Sequence, residues 1–106
     1  MESPEKSSES VEEEKLKHDL ALIEAALYVA GRPLDLKTLS SLIEPRSKKR
    51  AEKLAETLKE EYRKRDAALE VLELDGKRFV LQLKSEYTPR VRRLSLRPLL
   101  PMGPLR

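Results

Sequence analysis

The residue types that usually carry enzymatic chemistry are sparse in this chain. It has one histidine, His18, and no cysteine among 106 residues. The lack of cysteine excludes disulfides, thiol nucleophiles and cysteine-ligated metal sites. A lone histidine beside Asp19 offers too few ligands for a metal centre. Glycine-rich phosphate loops, nucleophile elbows and paired-carboxylate motifs are also not found in the sequence. We therefore expect no enzymatic activity, no cofactor and no metal.

Basic residues form a first cluster that can bind acidic groups. This candidate DNA contact lies at the start of a predicted helix and comprises Lys48, Lys49, Arg50 and Lys53. DNA-binding helices of winged-helix proteins often lie in the major groove. The solvent side of the same helix also carries Glu52, Glu56, Glu60 and Glu61. These carboxylates offset much of the attraction to a phosphate backbone. Direct DNA binding is therefore possible but not favoured.

A second basic cluster lies near the C-terminal end. It comprises Arg90, Arg92, Arg93 and Arg97. Residues 77–106 hold eight Lys or Arg, and their only acid is Glu86. Arginine can bind the carboxylates of a partner or the phosphates of a nucleic acid by paired hydrogen bonds. The alternative is that these arginines only make the last helix soluble, and the sequence leaves both interpretations open.

Several apolar residues are candidates for a dimer or partner interface. They are Leu22, Tyr28 and Val29 on the first predicted helix, Phe79, Leu81 and Leu83 on a predicted hairpin, and Tyr87 after it. Each can also be an ordinary core residue. Together they exceed what three short helices need to cover, and a large uncovered apolar patch marks a contact surface. The sequence does not indicate which face is left uncovered.

Hydrophobic periodicity predicts three helices that position these groups. The first runs over about 15–30, since Leu16, Leu20, Ile23, Leu27 and Ala30 recur at steps of three and four. Gly31 is suited to end it. Asp35 is placed to cap a short second helix. Ser47 is placed to cap a longer third helix that ends at Asp66.

A β-hairpin is predicted after the helices. Residues 69–74 and 77–83 flank Asp75-Gly76, a pair typical of two-residue turns. That turn pairs Glu73 with Arg78 and Leu72 with Phe79. Thr88 and Pro89 begin a short last helix that runs to about Leu94. The predicted fold is α+β, a winged helix with a three-helix bundle, a β-hairpin wing and a short C-terminal helix.

Composition divides the chain into three parts. Residues 1–15 hold six acids and two bases, for a net charge of −4, and are predicted to be a disordered acidic tail. Residues 16–94 form the winged-helix domain. Residues 95–106 contain three prolines and are predicted to be a linker. No segment approaches the roughly 18 apolar residues of a membrane span, so no membrane association is expected.

Three segments, in order, resemble one protein family. They are LIEAALYVAGRPLDLKTLSSLI over 22–43, LKEEYRKRDAALEVLEL over 58–74 and FVLQLKSEYTPRVRRL over 79–94. They are similar to the helix and Gly-x-Pro-Leu corner, the helix-to-hairpin junction, and the wing strand with its Glu-Tyr and basic helix in segregation and condensation protein B (ScpB). The likeness covers about residues 20–94, the N-terminal winged-helix domain of that family. The family usually has a shorter, glycine-rich turn at the wing tip.

The resemblance implies a function. ScpB proteins are non-catalytic homodimers that bind the kleisin subunit ScpA in a prokaryotic condensin and thereby contact the SMC ATPase indirectly. They have two successive winged-helix domains, so the resemblance implies that 95–106 leads towards a second domain that is missing here. It also implies a role in chromosome condensation and segregation, in the cytoplasm at the nucleoid. The alternative is a winged-helix DNA-binding transcription regulator.

Overall fold

The computed structural model describes residues 7–94. Helices α1 (Ser7–Ala30), α2 (Leu36–Ser40) and α3 (Lys48–Arg65) are followed by strands β1 (Leu69–Leu74) and β2 (Arg78–Leu83) and by helix α4 (Thr88–Val91). The 3-10 turns Ser85–Tyr87 and Arg92–Leu94 flank α4. Three helices, a hairpin and a short last helix confirm the predicted α+β winged helix. The predicted linker, 95–106, lies outside the described residues, and the division of the chain into three parts stays a prediction.

Helix α1 begins at Ser7, well before the predicted start near residue 15. Residues 11–18 of this helix are exposed, and they include three successive glutamates, residues 12–14. Glutamate has a high helix propensity and is favourable near a helix N-terminus, so this segment needs no packing to be helical. The prediction looked for a buried stripe, which begins only at Asp19. Leu16, expected on that stripe, is 44% exposed.

Helices α2 and α3 begin at the residues predicted to cap them. The Asp35 carboxylate accepts a hydrogen bond from the Thr38 backbone N–H at 2.9 Å, and this bond holds the pKa of Asp35 below its ordinary value. The Ser47 hydroxyl accepts one from the Arg50 backbone N–H at 3.1 Å. Such caps satisfy donors that the first helical turn leaves without partners. They therefore determine where α3 begins and which way the Arg50 side chain faces.

The hairpin register differs from the prediction by one residue. Glu73 pairs with Phe79 and not with Arg78, and Leu72 pairs with Val80. The loop has three residues, because Lys77 (φ 57°) adopts the left-handed conformation beside Gly76 (φ 79°) and belongs to the turn. This conformation is uncommon for a residue other than glycine. The predicted hairpin therefore placed Lys77 in the second strand and not in the turn. A one-residue shift exchanges the two faces of a strand.

The core lies between the helices and one face of the hairpin. Phe79, Ile23, Leu27 and Leu39 are among its largest fully buried side chains. The segment between α1 and α2 also joins the sheet through Leu34. Its N–H donates to the Phe79 carbonyl at 2.8 Å, and the Phe79 N–H donates back at 2.9 Å. One side of β2 is therefore occupied by Leu34, and the other by β1.

A buried ion pair joins α1 to the start of α3. Asp19 is only 2% exposed, and its Oδ2 lies 2.7 Å from Arg50 Nη1 and 3.3 Å from Lys15 Nζ. Burial by itself raises the pKa of Asp19, but the interactions with Arg50 and Lys15 outweigh it and leave the pKa below its ordinary value. The pair thus holds a charged carboxylate inside the domain and links α1 to α3.

Candidate partner-binding surface

An apolar groove lies between α1, the end of α3 and the hairpin. Its volume is about 280 Å³, and its lining residues are Ala21, Glu24, Ala25, Tyr28, Tyr62, Leu69 and Leu81. Hydrocarbon dominates this lining, and clefts of this kind bind apolar groups. The groove is too small for a large ligand but is suited to apolar side chains of another polypeptide.

Tyr62 forms a well-held wall of the groove. Its side chain is 4% exposed, and its hydroxyl donates a hydrogen bond to the Glu24 carboxylate. The Arg65 guanidinium lies 4.5 Å from the centroid of the ring, a cation–π contact. Burial, and then the hydrogen bond to Glu24, raise the pKa of Tyr62. The hydroxyl is therefore occupied within the chain, and the ring is held in place as part of the groove wall.

Two of the three predicted interface residues on α1 are the most exposed of all the predicted interface residues. Tyr28 is 71% exposed and Val29 is 80% exposed, whereas Leu22 is half-buried. Large apolar side chains with so much exposure, next to an apolar groove, are candidates for a contact surface. We call the face formed by Ala21, Ala25, Tyr28 and Val29 the α1 face.

One candidate interface residue on the hairpin has no exposed surface. Phe79 is fully buried in the core and is not available to a partner. In the observed register Phe79 shares a face of the hairpin with Val71, which is also buried. Leu81 and Leu83 are half-buried on the same face of the hairpin. Tyr87, 38% exposed, lies beyond the hairpin in a 3-10 turn.

Five lining residues of the groove were not predicted as interface residues: Ala21, Glu24, Ala25, Tyr62 and Leu69. The two alanines had a signal in the sequence. Ala21, Ala25 and Tyr28 are spaced by four and three residues, so they share one side of α1. That side differs from the one that carries the buried Ile23 and Leu27. Leu69 had no such signal, because only the tertiary fold brings the start of β1 next to Tyr62.

The alternative DNA contact on α3 loses one of its residues to the interior. Arg50 binds Asp19, so its guanidinium is committed within the domain. Lys48, Lys49 and Lys53 are exposed. A shallow depression on this side of α3 is lined by Ser47, Lys49, Arg50, Glu52, Lys53 and Glu56. The mixture of signs weakens the attraction that a phosphate backbone needs.

Three carboxylates meet where α3 passes the hairpin. Oxygens of Glu52, Glu56 and Glu73 lie within 4.8 Å of one another, the one such acidic group within residues 7–94. Two lysines bind this group: Lys77 Nζ lies 2.8 Å from Glu52, and Lys59 Nζ lies 3.6 Å from Glu73. The hydrogen bond to Glu52 raises the pKa of Lys77. Ion pairing with lysine accounts for the cluster and leaves one carboxylate in excess.

The arginine cluster lies on the surface at the end of the described chain. Arg90, Arg92 and Arg93 are all exposed, whereas Arg97 lies outside the described residues. Among them are exposed apolar residues, Val91 at 39% and Leu94 at 75%. Arginine mixed with apolar side chains is a common composition for protein interfaces. His18, the lone histidine, is an exposed residue of α1.

No helix within residues 7–94 is both long enough and apolar enough to span a bilayer.

Comparisons with known proteins point to one family. Residues 21–101 match the segregation and condensation complex subunit ScpB. The chain is also similar to a solved crystal structure, the dimer of a ScpB N-terminal domain complexed with a ScpA peptide. The two chains are 31% identical with a TM-score of 0.65, and the match covers 76% of this chain and 98% of that one. No curated protein sequence matches significantly.

Proposed function

Because this chain belongs to the family of the segregation and condensation complex subunit ScpB, we propose that it is a non-catalytic accessory subunit of a prokaryotic condensin. Two copies form a homodimer, and the dimer binds the kleisin subunit ScpA. The kleisin connects the dimer indirectly to the SMC ATPase. In this role the protein contributes to chromosome condensation and segregation at the nucleoid.

One observation carries this proposal. The similar solved structure is a dimer with a bound ScpA peptide, and the match covers 98% of that chain at 31% identity. The surfaces that bind a second copy and a peptide in the relative therefore have counterparts within this chain. Scaffolding of this kind needs no reactive group, in agreement with a chain that lacks cysteine and has one histidine, which is exposed.

The described surface has the parts that such a scaffold needs. The α1 face carries large exposed apolar side chains, and anchors of this type provide most of the affinity of protein interfaces. We assign this face to the second copy. Arg90, Arg92 and Arg93 add exposed positive charge at a different place on the chain, which orients an acidic partner and speeds its association.

The proposal is tested by light scattering after size-exclusion chromatography. The 106-residue chain is run alone over a range of concentrations and then with ScpA. We expect a mass of two chains, and a heavier species with ScpA. A chain that is monomeric at every concentration and does not bind ScpA would contradict the proposal.

A DNA titration separates this function from the DNA-binding alternative. A protein that neutralises six or more phosphates loses orders of magnitude in affinity between about 50 and 200 mM salt. We expect binding to ScpA to change far less over this range. We also expect that replacing Lys48, Lys49 and Lys53 with alanine leaves the ScpA complex intact. Sequence-selective duplex binding that these substitutions abolish would favour the transcription regulator instead.

Replacing Val29 with glutamate is expected to weaken the homodimer at least tenfold without unfolding the chain. Val29 is 80% exposed, so the change costs the monomer little, whereas a charge buried in an apolar interface is strongly unfavourable. The dimer dissociation constant is measured by analytical ultracentrifugation. Thr57→Glu is the matched control, because it adds the same charge to the exposed side of α3. Equal dimer dissociation constants for the two variants would show that the α1 face is not part of the dimer interface.

A further inference from the structure

Strand β1 has one edge that the described chain leaves open. The Lys84 N–H donates to the Ala68 carbonyl at 2.8 Å, directly before β1 and after β2. Along an antiparallel ladder, hydrogen-bonded residue pairs alternate with pairs that are not hydrogen-bonded. In the observed register the backbone N–H and C=O groups of Glu70, Leu72 and Leu74 therefore point towards β2. The same alternation turns the Phe79 backbone away from β1 and towards Leu34, as observed.

The backbone groups of Leu69, Val71 and Glu73 consequently point away from β2. Within residues 7–94 none of these three residues has a backbone hydrogen-bond partner outside its own strand pair. Natural edge strands are commonly protected from other strands by charged side chains, especially lysine, by proline or by a bulge. The sequence of β1, LEVLEL, contains neither proline nor lysine, and its six residues pair in continuous register. Its two charged residues, Glu70 and Glu73, are both acidic, so the edge is a template for a strand that brings a basic residue.

The two ends of this edge differ in chemistry. Leu69, 38% exposed, lines the apolar groove beside Tyr62. Glu73, four residues along on the same face of the strand, belongs to the cluster of three carboxylates that two lysines only partly neutralise. At about 3.3 Å per residue the two ends are roughly 13 Å apart. A strand that pairs here meets an apolar site at one end and an excess negative charge at the other.

We propose that the open edge of β1 binds an extended segment of the kleisin by strand addition. Backbone hydrogen bonds to Leu69, Val71 and Glu73 hold the segment, as in other strand-addition complexes. The segment carries an apolar side chain that packs against Leu69 at the hairpin side of the groove and, four residues away on the same face, a Lys or Arg for the carboxylate cluster. The α1 side of the groove is left to the second copy. This inference rests on the proposed function, because it takes ScpA as the partner.

Charge argues against a second copy of this chain at the same place. The outward backbone groups of two antiparallel β1 strands pair around Val71, so Glu73 of each copy faces Leu69 of the other. Each copy then places a carboxylate at the apolar end of the edge and a leucine at the acidic end, and a charge placed against an apolar site is unfavourable. A segment with a basic residue has the complementary charge. The second copy is therefore assigned to the α1 face and the kleisin to the edge.

The first test uses the unaltered chain and amide hydrogen exchange followed by NMR. Fluorescein-labelled peptides that tile ScpA are screened by anisotropy, and exchange is measured with the tightest binder. We expect the amides of Leu69, Val71 and Glu73 to exchange freely in the chain alone and to be protected at least tenfold by the peptide. Protection of these amides before peptide is added, or no change on binding, would overturn the proposal.

The second test removes one outward-facing donor. Glu73→Pro deletes the N–H that points away from β2, and proline is tolerated on an edge strand. Glu73→Ala is the matched control, since it removes the carboxylate but keeps the N–H. We expect the proline variant to bind the peptide about tenfold more weakly than the alanine variant, with melting temperature and dimer mass preserved.

The outcomes separate the edge from the proposed function. If both variants bind the peptide equally, the kleisin binds elsewhere and the edge proposal fails while the function stands. If proline abolishes the dimer, a second copy occupies the edge. If the unaltered chain binds neither ScpA nor any of its peptides, both proposals fail.

Discussion

Replacing Phe79 with alanine is expected to lower the free energy of unfolding by about 4 kcal/mol. Phe79 is fully buried, so its removal exposes no partner surface and leaves a cavity in the core. Small domains have a total stability of only about 5–15 kcal/mol. The variant therefore loses a large share of its stability. Urea denaturation followed by far-UV circular dichroism measures the change.

The control for this substitution is Tyr28→Ala, which also removes an aromatic ring. Tyr28 is 71% exposed, and we expect a change in stability within about 0.5 kcal/mol. Dimer mass is measured for both variants under conditions where they are folded. A large loss of dimer from Phe79→Ala with no loss of stability would indicate that Phe79 contacts a partner and is not a core residue.

Replacing Asp19 with asparagine is expected to lower the free energy of unfolding by about 3 kcal/mol at pH 7. Its carboxylate is 2% exposed and binds Arg50, whose side chain is 29% exposed. Asparagine keeps the shape of the side chain but removes the charge, and the guanidinium loses its partner at the junction of α1 and α3. Removal of one member of a buried pair costs more than the pair contributes, because the other charge stays buried.

The effect of Asp19 should depend on pH. Its pKa in the folded chain is lowered, with the interactions with Arg50 and Lys15 outweighing burial. The ionised carboxylate therefore stabilises the fold above its unfolded pKa of about 3.9, and this contribution is lost as the pH falls through the lower, folded pKa. We expect the stability difference between the unaltered chain and Asp19→Asn to be constant near neutral pH and to shrink below about pH 4.

A second pair serves as the control for this experiment. Lys59 and Glu73 lie 3.6 Å apart, and their side chains are 46% and 29% exposed. Exposed pairs contribute about 0–1 kcal/mol, so Glu73→Gln should have a small effect. Equal losses from Asp19→Asn and Glu73→Gln would indicate that the Asp19 pair is as hydrated as the surface pair.

The helical part of the fold was predictable because its signals are local. Asp35 and Ser47 cap the helices that they were expected to cap, and Gly31 follows the end of α1 with a φ of 61°. Each of these features depends on residues within one or two turns. The early start of α1 at Ser7 was missed because the prediction required a buried stripe, whereas helix propensity and the helix dipole act without burial.

Exposure of the candidate interface residues was predictable only in part. The exposed Tyr28 and Val29 were among the predicted residues, but so was the buried Phe79. Apolar type alone does not distinguish a core residue from an interface residue, since both are enriched in the same side chains. The resemblance to ScpB, confirmed by the family match over residues 21–101, indicates partners and leaves open which surface binds each of them.

The burial of Asp19 was predictable from the spacing of the buried residues in α1. Asp19, Ile23 and Leu27 are spaced by four residues, so they share the buried side of α1. A carboxylate on that side needs a cation. The sequence did not predict that Arg50 is this cation, because the pairing depends on how α3 crosses α1.

The amino-acid sequence by itself determined the order of the elements, the caps of the helices and the membership of a family, since periodicity and capping act between neighbours along the chain. Only the tertiary structure decided the hairpin register, the partner of Asp19 and the lining of the groove. Tyr62 and Glu24, for example, are 38 residues apart in the chain. Contacts over such separations form when whole elements pack, and packing depends on the combined shape of all their side chains.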